Sequence, residues 1–443
     1  MFRPFALFRA AVGTWLAVLT MIPPAQAVEI QPVAITDGIE AWLVEDHTNP
    51  IIAVEIAFRG GSALDPSGKQ GRARMAMALL DEGAGDLTSQ AFKKELQDHS
   101  IEMDFDANHD AVSAIMRTLT QHRDLAFNLL RLALTDPRFD ESAVQRVREQ
   151  LAASLRRAEE DPNWIATQRF YEIQFPHHPY GYPPDGTLNS LEVLNTHDLK
   201  TFTQAQLVQD TMVIGVVGDI TADELRRQFG NVIAAMPKSG HQLAVPDVEP
   251  AIAGDAFVEI STPQSAIVFG QEGLPRDDPD FYALILVNQV LGGSGLTSRL
   301  FSSVRDARGL AYSVYTHLQP MSHAALIVGR AATANPSVNE TITVIRDQWK
   351  RLADFGLTES ELSDAKKYLT GSFPLRFSSS PRIASLLVAI QWAHLGIDYI
   401  ERRNQLIDAV SLEHANMLAR RILRPDALSF VVAGQPGGVL RPH

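Results

Sequence analysis

Cysteine is absent from the 443 residues. That absence removes disulfides, thiolate zinc sites and cysteine nucleophiles together. It does not fix a compartment, because disulfide-free proteins also occur where thiols oxidise. Basic charge is scarce: 39 Lys and Arg against 52 Asp and Glu leave a formal net charge of -13 at pH 7. Non-specific nucleic-acid binding needs a positive footprint, so this balance argues against a nucleic-acid partner. Long apolar runs are missing beyond the first residues, and no later stretch is apolar for long enough to span a bilayer. The remaining composition, 45% hydrophobic and 21% charged, is that of an ordinary globular chain. Its length predicts two domains of roughly 200 residues each.

One apolar run stands at the N-terminus. Arg3 and Arg9 precede AAVGTWLAVLTMI, from Ala10 to Ile22. Pro23 and Pro24 break the run, and Ala25-Gln26-Ala27 has the small-x-small form of a cleavage site. This pattern predicts a secretory signal peptide over residues 1–27, cleaved after Ala27. The expected product is an exported chain, most simply periplasmic, with no membrane span after cleavage.

The rest of the chain repeats itself. Residues 28–237 open with strands in VEIQPVAI, IEAWLVED and IIAVEIAFRG, and helices are predicted at 71–83, 89–98, 122–134, 138–160 and 163–174. The strand TMVIGVVGD (211–219) and a helix over 221–236 close this domain. Residues 238–253 carry the proline and glycine of a linker, and residues 254–443 form the second domain. FDESAVQRVREQLAASL (139–155) matches LTESELSDAKKYLTGSF (357–373) in pattern, LNTHDLKTF (194–202) matches VSLEHANML (410–418), and TMVIGVVGD recurs as ALSFVVAGQ (427–435). Three matches near one offset of 216 to 218 residues predict a duplicated α+β domain, each copy an antiparallel sheet covered by helices.

The stretch Gly292–Tyr315, GGSGLTSRLFSSVRDARGLAYSVY, reads as turn, helix and strand. Leu296, Leu300, Phe301 and Val304 recur at helical spacing, and Gly309 punctuates before a strand from Ala311. Arg305 and Tyr312, seven apart across that break, could grip a peptide carbonyl or stabilise an oxyanion. Taken alone, the segment favours the plainer reading, an Arg on a solvated helix face and a Tyr in a half-buried strand. Arg308 and Tyr315 share the spacing; Arg299 has no Tyr seven residues on. The glycines at 292, 293 and 295 lack the Lys-Ser/Thr of a phosphate loop, and Ser294 is not in a Gly-x-Ser-x-Gly elbow. His109 with Asp106 and Asp110 is a weak metal cluster that strand alternation divides between two faces.

Several segments together resemble the pitrilysin/insulinase superfamily of zinc metallopeptidases and their non-catalytic subunits. They are FRGGSALDPSGKQGRARMAMALLDEGAG (58–85), HHPYGYPPDGTLNSLEVLNTHDLKTF (177–202), TMVIGVVGD and the Gly292–Tyr315 stretch. The resemblance implies a mitochondrial-processing-peptidase-like clamshell half. Active members carry His-x-x-Glu-His on the helix after the glycine-rich turn, two histidines sharing a helix face to bind zinc and the glutamate acting as base. Here the matching positions are Arg74, Met77 and Ala78, and the family's third ligand falls at or near Ser154. The segment between His47 and His99 holds no histidine, so a small shift in register does not restore the motif. Read as residues, Arg74 suits the surface of an amphipathic helix, and Met77 and Ala78 suit core packing.

The family also uses an Arg/Tyr pair seven residues apart to bind substrate backbone beside the zinc, and the GLAY context matches it to Arg305 and Tyr312. The resemblance therefore implies a non-catalytic subunit that binds no cofactor itself. A homologous zinc-bearing peptidase chain would be its partner and a peptide the substrate, captured in part by strand addition. The alternative is a structural or peptide-binding scaffold with no role in proteolysis.

Overall fold

The computed structural model describes residues 29–240, 244–293 and 295–436; the predicted signal peptide lies outside them. Strands β1 (Gln31–Thr36), β2 (Ile39–Glu45), β3 (Ile51–Arg59), β4 (Glu102–Ala107), β5 (Ala111–Leu119) and β6 (Met212–Gly218) form one sheet in the order β1-β2-β6-β3-β5-β4. Strands β7 (Ala256–Glu259), β8 (Gln264–Glu272), β9 (Ala311–Pro320), β10 (Ala325–Ala334) and β11 (Ser429–Gly434) form a second, ordered β9-β10-β8-β11-β7.

Read from matching ends, β2-β6-β3-β5-β4 and β7-β11-β8-β10-β9 are the same topology. In each, the first pair is parallel and the remaining pairs are antiparallel. The predicted duplication of an α+β unit is thus realised strand for strand, with β1 added to the first sheet. The equivalent strands β4 and β9 are both sheet edges, where one row of backbone groups is left unpaired by the sheet.

The central strands explain why both sheet faces must be covered. β3 (IIAVEIAFR) and β8 (QSAIVFGQE) are buried along most of their length on both faces, so they read as apolar runs rather than alternating strands. Each half covers one face with its own helices. The other face is covered by a helix borrowed from the opposite half. Four helices matter below: α1 (Arg72–Met77), α2 (Glu141–Ala158), α3 (Pro162–Gln174) and α4 (Ser380–Trp392). α3 starts with Asp161 accepting from the Asn163 N–H and Pro162 in the first turn, a preorganised helix start.

α3 packs on β8 and β11 of the second sheet, while α4 packs on β3 and β6 of the first. The two helices are equivalent in the repeat, so the exchange is reciprocal. Ala166 and Phe170 of α3 join Ala266, Val268 and Val431 in one apolar cluster. Ile383, Ala384 and Leu387 of α4 join Trp42, Val44 and Val217 in another. Gly215 on β6 allows the close approach of α4: a Cβ there would stand 2.6 Å from the Ala384 carbonyl oxygen. Glu55 of β3 accepts from the Ser385 hydroxyl, and burial pushes its carboxyl above the usual range.

Two local expectations change. The helix predicted over 71–83 ends at Met77. Gly83 then enters a short ribbon, Gly83–Ala84 paired with Leu87–Thr88, and the Arg138 N–H and the Asp136 carbonyl tie it down. The buried residues Leu79, Leu80 and Ala84 made an apolar run whose period did not distinguish helix from packed turn. The segment read as a linker makes specific contacts: Pro246 accepts from His178 at 3.0 Å, and the Val248 and Ala251 N–H groups donate to His323 and Gln174.

Candidate functional site

The helix before β9 is a single wide π-turn, Phe301–Asp306, in which the Ala307 N–H reaches back five residues to the Ser302 carbonyl. Phe301 and Val304 are buried under it. Gly309, at φ +64°, ends the turn in the left-handed conformation and donates to the Arg305 carbonyl at 2.8 Å. Leu296, expected on the helix, lies before it and is 68% exposed.

β9 then begins with a bulge. Ala311 pairs with Thr333 and Val314 with Ala331, so Tyr312 and Ser313 together oppose one residue of β10. A bulge turns two consecutive side chains to the outside, and both Tyr312 and Ser313 are exposed while Ala311 and Val314 are buried.

This local geometry brings Arg305 and Tyr312 together. The Arg305 guanidinium carbon lies 4.7 Å from the Tyr312 ring centroid and 4.8 Å from that of Phe301. Two ring faces fix the plane of the cation without occupying its N–H groups. Tyr312 is 82% exposed, so its hydroxyl meets solvent. The rival pair is not assembled this way: Arg308 donates to the Ser303 carbonyl of its own turn, and Tyr315 lies against His317. Arg299 is structural, forked onto Glu361 at 2.7 and 2.8 Å. A planar cation beside a solvent-facing phenol on a sheet edge can donate to a carbonyl oxygen of an extended peptide and to the anion it becomes on attack.

The first half, around α1, has a different character. Arg74 forms an ion pair with Asp106 of β4 and a second with Asp185 at 3.3 Å. Met77 is fully buried, and Ala78 is partly buried against the first core. Ser154 is exposed on α2 and accepts from Arg157 of the same helix at 3.0 Å. A guanidinium, an enclosed thioether, a methyl group and a surface hydroxyl do not make a zinc donor set. Among the described residues, no group of three or more His, Asp and Glu converges as a metal site. The weak cluster is dispersed: His109 donates to the Tyr182 carbonyl at 3.0 Å, Asp106 holds Arg74, and Asp110 accepts from Tyr180.

His177-His178-Pro179-Tyr180 forms a turn whose partners lie far away in the sequence. His177 is left-handed, at φ 63°, and the chain enters a 3-10 turn at Pro179–Gly181. His178 accepts from the Tyr180 N–H at 3.2 Å and donates to Pro246; burial holds its pKa below the ordinary value. Tyr180, with no exposed surface, donates to Asp110 and accepts from the His323 N–H at 3.1 Å. The other Asp110 oxygen accepts from the Ser322 N–H at 2.9 Å. The tip of the β9–β10 hairpin is thereby fastened to the first half. Only Tyr180 within the HPYG segment signalled this in the sequence.

The fold and the two corners define the class: a duplicated α+β chain of peptidase type in which α1 presents the Arg74 ion pairs rather than a set of metal donors. Residues 41–187 match "Insulinase (Peptidase family M16)" and residues 194–369 match "Peptidase M16 inactive domain". The chain belongs to the M16 family. It is 25% identical over 389 residues to "Non-peptidase homolog YmxG" of Helicobacter pylori, covering 88% of this chain and 90% of that one. It is 26% identical over 326 residues to "Uncharacterized zinc protease YmxG" of Bacillus subtilis, covering 71% and 76%. The crystal structure of a peptidase M16 inactive domain from Pseudomonas fluorescens superposes with a TM-score of 0.87 at 27% identity, covering 94% of this chain and 99% of that one.

Proposed function

We propose that this chain is the non-catalytic subunit of a heteromeric periplasmic zinc peptidase, supplying Arg305 and Tyr312 to a partner's active site. The observation that carries the reading is an asymmetry within one chain. The Arg305–Tyr312 pair is assembled, stacked and open to solvent, while the α1 position of the family motif holds an Arg74 ion pair in place of donors. The partner is a homologous chain carrying the inverted motif, whose zinc would supply the activated water. Arg305 and Tyr312 then donate to the carbonyl oxygen of the scissile peptide, and their hydrogen bonds strengthen as that oxygen gains charge.

The test is hydrolysis of an unstructured peptide by this chain, by the partner and by their mixture. Activity is expected only in the mixture. Tyr312→Phe keeps the ring under Arg305 and removes one donor, so turnover should fall about 100-fold, the scale of one oxyanion contact. Equal activity with and without this chain refutes the reading. One observation favours a second reading, a peptide-binding scaffold: the Helicobacter pylori relative is described as a non-peptidase homolog. In that case the mixture binds peptide without faster cleavage.

A further inference from the structure

A second group of arginines lies far from Tyr312. β9 runs eight residues from Tyr312 to Pro320, roughly 26 Å at the rise of an extended strand. Beyond its far end a cleft of about 620 Å³ opens between the two halves. Arg59 from the end of β3 lies flat on Trp392, 4.5 Å from the ring centroid, and donates to the Trp392 carbonyl at 3.1 Å. Arg276, just after β8, is boxed by three rings, at 4.5 Å from Phe281, 5.2 Å from Tyr282 and 5.6 Å from Tyr399. Its Nη2 donates to the Tyr399 hydroxyl at 3.1 Å and lies 3.4 Å from that of Tyr282.

Ring faces and neutral phenols orient this guanidinium without neutralising it. Among the described residues, no carboxylate lies within ion-pairing distance of Arg276. The acids of the lining are engaged elsewhere or solvent-exposed. Asp110 accepts from Tyr180 and Ser322, Asp278 accepts from the Asp280 N–H at 2.7 Å, and Asp277 is exposed. Arg402, the third cation of the lining, is paired with Asp398 at 2.6 Å. In a chain of net charge -13, a half-buried arginine held in a cleft with no ion-pair partner among the described residues is a preformed receptor for an anion. The apolar walls, Pro275, Met321 and Leu395 beside Trp392, select for an anion with an apolar body. A planar fork suits a carboxylate, which it can hold with two parallel hydrogen bonds.

We propose that this cleft binds a carboxylate carried on an apolar or aromatic body, such as the C-terminal residue of a short peptide. The carboxylate sits on Arg276 and the body lies along Trp392. The site is independent of Arg305 and Tyr312, and its occupancy does not rest on the peptidase reading.

The test is calorimetric titration of the purified mature chain with N-acetylphenylalanine, with N-acetylphenylalaninamide, and with acetyl-Ala-Ala-Phe as acid and as amide. Saturable binding of the acids is expected at millimolar concentration or below, with the amides weaker by about tenfold or more. Tighter binding of the tripeptide acid than of the single residue marks a peptide end as the source, and equal binding marks a free carboxylate. Arg276→Met should abolish the preference for acid over amide while the thermal midpoint stays near that of the parent. Equal binding of acid and amide overturns the proposal, as does an unchanged preference in Arg276→Met or no saturable binding by either acid. Should Arg276→Met fail to fold, the acid–amide comparison on the unmodified chain still decides.

Discussion

Replacing Tyr180 by Phe deletes one buried oxygen and leaves the ring. In the parent, that oxygen donates to the Asp110 carboxylate and accepts from the His323 N–H. The ring itself packs edge-on to His178 and Phe175, with centroids 4.7 and 5.6 Å away, and these contacts survive the change. A hydrogen bond to a charged group is worth about 1.5–3 kcal/mol, and a stranded buried N–H costs about 1–3 kcal/mol. Asp110 keeps its second bond, to the Ser322 N–H, which offsets part of the loss. The expected destabilisation is therefore about 2–4 kcal/mol, read from urea denaturation with an unchanged slope. Tyr182→Phe is the control, because Tyr182 is 46% exposed and should change stability by about 0.5 kcal/mol or less. Asp110→Asn combined with Tyr180→Phe should show a coupling of about 1–2 kcal/mol. A Tyr180→Phe loss no larger than the control's would refute the idea that this hydroxyl fastens the hairpin. The hairpin bears Tyr312 at its other end, so the same variant should also weaken the mixed peptidase assay.

Three further outcomes follow from the same geometry. Gly215→Val should destabilise by about 2 kcal/mol or more in urea denaturation, because its side chain must displace the α4 backbone; an unchanged midpoint would mean that α4 does not sit on β6. The Glu55 carboxyl is raised in the folded chain, so the folded state holds that proton more tightly than the unfolded state. Its favourable contribution is complete below the unfolded pKa and is lost as pH rises through the folded value. Glu55→Gln should accordingly gain stability over the parent as pH is raised from about 4 toward 8, and a difference independent of pH would contradict this. Metal analysis of the purified chain after incubation with zinc should find far less than one zinc per chain, since Arg74, Met77 and Ala78 offer no donor set; a stoichiometric ion would overturn the assignment of α1.

Local signals carried some features of the chain fully. A left-handed Gly309 following a helical pattern and preceding an alternating strand is written in a few adjacent residues, and the structure forms that corner. Helical spacing places Leu296 on the helix because an apolar residue at that spacing cannot show that it sits in a bend before the first turn. The helical pattern over 71–83 outruns the helix because an apolar residue buried in a packed turn looks, in sequence, like one on a helix. The Asp110–Tyr180 fastening was invisible because its members lie 70 residues apart and His323 is 143 residues from Tyr180.

By itself, the sequence determined the duplicated α+β architecture, and its resemblance to the family matched Arg74, Met77 and Ala78 to the zinc-motif positions and made Arg305 and Tyr312 candidates. Repeats and local motifs are matched along the chain, which a linear reading holds. Tertiary structure alone decided that α3 and α4 are exchanged between sheets, that Arg305 stacks on Tyr312 while Arg308 turns to its own backbone, and that Arg276 lines a cleft where, among the described residues, no carboxylate comes within ion-pairing distance. These outcomes depend on which distant surfaces meet. Close packing fixes that meeting only when both sheets, the bulge in β9 and the hairpin tip are in place together.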